Sequence, residues 1–338
     1  MLNEWWHRFA KTLGLLLRIV VPVYLLVVLL EATGWVRAVT GWVERPLGWL
    51  GIAEPAVLPL LVGLFSALYA AIGTMASLGL TPEQALPVVL FLNFAHALPM
   101  EVAVASRCRV NPWRITAVRL AMGAAAALLA TLFVPLLPQA APGMSGAALA
   151  PSSTAMAAEG MVTLPALASA LVEGLRGLVR LLALLVAVLA PSTLAMAWLE
   201  HRGLLDRWST QAGPWMRRVG LSGDAAFPVL AGLFLGLVYG AGILIDRMSR
   251  RRLTEREAWR VFVFLSACHS VLEDPFIFTT VGVGPHILLP VRLAAGGLVL
   301  AGFALATARG SRAGTRPSVR VAGGPPAPPL GEHPVRKP

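Results

Sequence analysis

Charge is what this chain has least of: 13% of its 338 residues are charged, while 57% are hydrophobic. A soluble domain carries about a quarter charged residues, so water is not the solvent for most of this surface and the bilayer takes its place. Cysteine is nearly absent as well. Cys108 and Cys268 are too few for a disulfide framework and lack the CxxC spacing of a zinc or redox site, so both are expected to be small core residues. No Ser–His or HExxH arrangement supports an enzyme, and no motif assigns a cofactor. The first apolar run follows Trp5, Trp6, His7, Arg8 and Lys11 but lacks an A-x-A-like cleavage site. It is expected to remain as a first helix, with Trp5 and Trp6 as interface anchors.

What the chain does have is apolar runs, at 13–30, 57–78, 84–106, 114–138, 178–199, 225–245, 257–281 and 286–308. A spanning helix needs about 20 mostly apolar residues, so the expected fold class is all-α: a polytopic membrane helical bundle. The net charge of +11 lies at helix ends and in the tail. It reads as topology and contact with lipid headgroups, and no nucleic-acid partner is expected.

The sequence also repeats itself. A displacement of 173 lines up Leu80-Thr81 with Leu253-Thr254, Phe91-Leu92 with Phe264-Leu265, His96 with His269, Pro112 with Pro285 and Val118-Arg119-Leu120-Ala121 with Val291-Arg292-Leu293-Ala294. Upstream, a displacement of 169 pairs Pro22 with Pro191, Glu31 with Glu200, Pro59 with Pro228 and Gly63-Leu64-Phe65 with Gly232-Leu233-Phe234. Matched Pro, His, Arg and Glu are not the coincidences that apolar sequence supplies, so the chain reads as a duplication. The expected organisation is a first membrane repeat at 1–137, a linker at 138–169, a second repeat at 170–308 and a disordered basic Pro/Gly tail at 309–338.

Charge also orients the copies. Basic residues cluster at the N-terminus, at 107–114, 202–218 and 247–256 and in the tail, all expected to be cytoplasmic. The turn at 79–83, equivalent to the basic 252–256, has no positive charge, and neither has 280–285, equivalent to the basic 107–112. Equivalent loops are therefore expected on opposite sides, the pattern of an inverted repeat in a multi-pass protein of the cell inner membrane with both termini cytoplasmic. For the crossings to close, 57–78 must be re-entrant or broken near Gly73, with 225–245 as its counterpart.

Each copy places a histidine in its third run with an acid soon after: His96 then Glu101, and His269 then Glu273 and Asp274. On an unbroken helix a five-residue step leaves side chains some 140° apart, but Pro99 and Pro275 are expected to distort these helices. Ionisable groups at bilayer depth usually mark a solute, ion or proton path; a structural polar network is the alternative. Arg119 and Arg292 suit counter-ions to Glu101 and Asp274 or ligands for an anion, although snorkelling would account for Arg119. Asn93 shares the helical face of His96. Candidate substrate-binding residues are thus His96, Glu101, His269, Glu273, Asp274, Asn93, Arg119 and Arg292, with His96, Glu101, His269 and Asp274 as candidate metal ligands. Glu31 and Glu200 read as interfacial caps and His286 as interfacial.

Gly63-Leu64-Phe65, Leu80-Thr81-x-Glu83, His96 with Glu101 and Arg119-Leu120, followed in the second copy by His269-Ser270-x-x-Glu273-Asp274, resemble the membrane "gate" or nucleoside-recognition domain. That domain is similar to the gates of ferrous iron transport protein B and to spore maturation proteins A and B. Copy one departs from the His-Ser-x-x-Glu-Asp signature. The resemblance implies two gates around a central path and a transporter or permease of a small solute, nucleoside-like or a divalent cation. A non-transporting membrane scaffold of the spore-maturation type is the alternative. The chain has no P-loop, so it is not by itself a GTP-driven iron transporter. Its expected partners are the lipid bilayer and a small solute or cation, with a homo-oligomer left open.

Overall fold

The computed structural model describes residues 2–32, 44–136, 164–236, 244–245, 248 and 253–314. Expectations for most of the linker, for most of the tail and for part of 225–245 lie outside the described residues. Among the described residues the chain is helical without strands. The first half runs through α1 (Leu2–Ala32), α2 (Glu44–Gly48), α3 (Glu54–Phe65), α4 (Leu68–Ser77), α5 (Pro82–Leu92), α6 (Leu98–Arg107) and α7 (Pro112–Leu128). The second runs through α8 (Leu164–His201), α9 (Leu204–Arg218), α10 (Ala226–Leu235), α11 (Glu255–Ala267), α12 (Asp274–Ile277) and α13 (Pro285–Gly314). Helix α8 thus starts within the stretch expected to be linker, and α13 continues past 308.

Among the described residues two stretches are long and apolar enough to cross a membrane unbroken, Ala168–Leu199 in α8 and Pro285–Arg309 in α13. Only 24% and 22% of these windows are buried, and side chains such as Leu175, Val179, Leu298 and Leu305 point outward. Lipid, not water, is the medium that suits them. Other expected runs are divided. The run 57–78 breaks at Ser66 and Ala67, between α3 and α4, and not at Gly73, which lies inside α4. Gly73 packs against α1, where a Cβ would make an ordinary 3.4 Å contact with Val20.

The third run of each copy breaks too, ahead of the prolines. Helix α5 stops at Leu92 and α6 starts at Leu98, while α11 stops at Ala267 and α12 starts at Asp274. Pro99 and Pro275 occupy first turns, where the missing N–H has no partner to lose. Both α5 and α11 begin with a capping box, Thr81 with Gln84 and Thr254 with Glu257, so the duplication extends to helix starts.

The halves share their interior. One core joins Val20, Leu60, Ile72, Leu90 and Phe94 to Leu181, Phe278 and Leu288; another joins Ala105, Cys108 and Ile115 to Phe262, Leu265 and Cys268. Loops also pair crosswise. The Pro82 ring of the 79–83 turn, which has no positive charge, packs on Gly282 of the uncharged 280–285 turn, while Arg109 and Arg114 border one cleft with Arg256 and Arg260.

Candidate functional site

The interruption of α5 leaves the carbonyls of its last turn without helical partners. His96 serves one of them: its Nδ1 lies 2.7 Å from the Leu92 carbonyl, and His269 makes the same 2.7 Å contact to Leu265 at the end of α11. A carbonyl only accepts, so Nδ1 carries the proton and, in the neutral ring, Nε2 is left as a lone pair. The next residue in each copy is left-handed, Ala97 and Ser270 both at φ 49. Each is tied by its N–H to a glycine carbonyl on a neighbouring helix, Ala97 to Gly63 at 2.8 Å and Ser270 to Gly232 at 3.2 Å. Those glycines leave the room. A Cβ on either would lie 2.6 Å from a methyl of Leu92 or Leu265.

This reversal turns both histidines inward. Their ring centroids are 5.3 Å apart, and His96, Glu101 and His269 offer ligand atoms that all lie within 4.8 Å of one another. Glu101 and Asp274, in the first turns of α6 and α12, face the arginines of α7 and α13: Arg119 Nε is 2.7 Å from Glu101 Oε2, and Arg292 Nη2 is 2.8 Å from Asp274 Oδ2. Arg119 is wholly buried, so it does not snorkel; the facing carboxylate holds it in place. His269 Nε2 also lies 3.7 Å from Asp274 Oδ2.

The two arginines differ in everything else. Arg292 donates from Nε to Asn93 Oδ1 at 2.7 Å, from Nη2 to the Asn93 carbonyl at 2.8 Å and to Asp274, and from Nη1 to the His269 carbonyl. Asn93, on the far half, is thereby bound to Arg292 through its oxygens. The Arg119–Glu101 contact is a charge contact whose N–H is not aligned along it. Nε, Nη1 and Nη2 of Arg119 and Nδ2 of Asn93 have no hydrogen-bond partner among the described residues.

Glu273 stands apart from the His–Glu cluster and accepts a hydrogen bond from the Tyr69 hydroxyl of α4. Sequence reasoning missed Tyr69, whose signal was a phenol inside an otherwise apolar run. It also missed α9, where 202–218 reads as a basic loop. Helical spacing of Leu205, Trp208, Trp215 and Met216 against Arg207, Arg217 and Arg218 would have shown an amphipathic helix. His286 is exposed and contacts the Leu136 carbonyl at 2.9 Å. The side chains of Glu31 and Glu200 lie outside the described residues.

The chain is similar to the uncharacterized membrane protein YvoD of Bacillus subtilis (strain 168), with 28% identity over 282 residues that cover 83% of this chain and 86% of that one. It is a helical membrane protein. No family model and no solved structure matches it, so the gate-domain resemblance rests on the motifs quoted above.

Proposed function

We propose that this protein is a permease that moves a small solute across the cell inner membrane through the site at His96 and His269, and that the solute is a divalent first-row cation. One observation carries the reading: each histidine is pinned through Nδ1 to its own helix, which leaves Nε2 with its lone pair, and the two histidines and Glu101 offer ligand atoms within 4.8 Å of one another. That is the preparation metal-ligating histidines commonly receive. Imidazole nitrogen with carboxylate oxygen suits first-row metals. Ligands on one ion lie roughly 3.4 Å apart for bonds of about 2.1 Å, so side-chain movement of about an ångström closes the set.

A cation entering here competes with Arg119 for Glu101. Because Arg119 has no aligned hydrogen bond, it is the counter-charge that yields, while Arg292 stays fixed. The crosswise pairing of loops supports an inverted arrangement, since equivalent loops then lie at opposite ends of the molecule. The gate-domain resemblance points the same way. The Arg292 network, which ties Asn93 of one half to Asp274 of the other, favours the second reading, a scaffold whose polar groups only hold helices together.

Cobalt(II) absorption in detergent and cation uptake into proteoliposomes test the choice. His269→Ala should abolish both while leaving thermal stability within about 1 kcal/mol of wild type, and Glu101→Gln should abolish both as well. Uridine uptake without cation uptake would move the reading to nucleosides, and a folded wild type that carries neither would leave the scaffold.

A further inference from the structure

The crosswise loop pairing builds a second polar feature, far in character from the buried histidine site. Arg109, Asn111 and Arg114, around the start of α7, and Arg256, Trp259 and Arg260, in the first turns of α11, line an open cleft of about 480 Å³. Four arginines face one lining carboxylate, Glu255.

Nothing in the local structure requires that much positive charge. Arg114 and Arg256 sit in the first turns of α7 and α11, where the helix macrodipole disfavours a cation. Arg109 follows the end of α6 with φ 56, a position that glycine or asparagine fills at lower cost. The exposed guanidinium groups of Arg109, Arg114 and Arg256 have no carboxylate partner among the described residues, whereas Arg260 spends Nη1 on the carbonyls of Val219 at 3.0 Å and Gly220 at 2.7 Å. Asn111 is likewise committed, accepting from the Arg114 N–H at 3.1 Å. Two positive helix ends and three uncommitted guanidinium groups therefore converge on one cleft, which an oxyanion with several acceptor oxygens would relieve through charge-assisted bonds.

We infer that this cleft binds a phosphate group, held between Arg109 and Arg114 of the first half and Arg256 of the second. Trp259 forms one wall, and Trp113, the chain neighbour of Arg114, is 74% exposed. Tryptophan at a basic edge belongs to the headgroup region of a bilayer, so the phosphodiester of an anionic phospholipid is the expected source.

Native mass spectrometry of the full chain in detergent tests this, with phosphatidylglycerol against phosphatidylcholine. Arg109→Gln/Arg256→Gln should weaken phosphatidylglycerol binding roughly twenty-five-fold, since each arginine near an anionic headgroup contributes about a factor of five. Arg176→Gln, which removes an exposed arginine paired with Glu173 at 2.5 Å, should leave it unchanged. Labelled inorganic phosphate on lipid-stripped protein separates the sources: binding lost in the double variant assigns the site to soluble phosphate, and binding confined to the lipid assigns it to the headgroup. Equal phosphatidylglycerol binding by wild type and double variant, an equal loss in Arg176→Gln, or displacement by chloride as readily as by phosphate would overturn the inference.

Discussion

Arg119 and Arg292 stand at equivalent places in two copies of one sequence, both wholly buried and each facing the equivalent acid. Yet Arg292 makes four hydrogen bonds and Arg119 makes none among the described residues. One substitution between the copies accounts for much of this. The residue equivalent to Asn93 is Ser266, whose hydroxyl is too short to serve as an amide and donates back to the Phe262 carbonyl at 2.8 Å. Duplication thus produced two matching frames, and divergence locked one arginine while leaving the other with bonding capacity to spend. A buried polar group without partners is costly to fold around, and the proposed function uses the unlocked arginine as the counter-charge that yields to a cation.

The largest effect expected from this comparison is on Arg292. Its replacement by alanine strands Asp274 and Asn93 in the interior and should cost about 3–5 kcal/mol, as breaking a buried pair does. Arg119→Ala should cost clearly less, since only the charge contact to Glu101 is lost. Thermal unfolding in detergent ranks the two, and equal losses would erase the distinction between a locked and an unlocked half. The frames themselves should respond alike. Gly63→Ala and Gly232→Ala each drive a methyl into a leucine and should destabilise by about 1–3 kcal/mol, the usual cost of overpacking, with the two values close to each other. A large difference would mean that the equivalent contacts are not equivalent in energy. Smallest is the repair of the asymmetry. Ser266→Asn supplies the first half with the amide that Asn93 provides in the second, and it should be more stable than the similarly sized Ser266→Leu by about 1 kcal/mol, one net hydrogen bond. A more stable leucine variant would show that Arg119 cannot use an amide there.

The polar residues of the site were legible because His, Glu, Asp and Arg are rare in an apolar background and recur at one displacement. That pattern also suggested which acid faces which arginine. The places where helices break were not legible. Proline suggests distortion where it stands, but Pro99 and Pro275 start new helices, and the turns themselves are made by His96-Ala97 and His269-Ser270, with no glycine to announce the left-handed residue. The Tyr69 bond to Glu273 joins residues far apart in sequence that have no counterpart in the other copy, so no repeat could reveal it. Nor does a repeat say which residues share a core: the clusters that hold Phe94 with Phe278 and Cys108 with Phe262 follow from packing of the two copies against each other.

The contact between Pro82 and Gly282 has a mechanical consequence. A side chain at Gly282 would start 2.5 Å from the proline ring, and its φ of +84 already excludes most residues. At that end the halves meet without slack, and packed atoms resist further approach. At the other end they meet across an open cleft bordered by long, flexible arginines. Under the proposed transport function, halves that rock as rigid bodies would pivot at the tight Pro82–Gly282 contact, and the looser arginine cleft would be free to open and close.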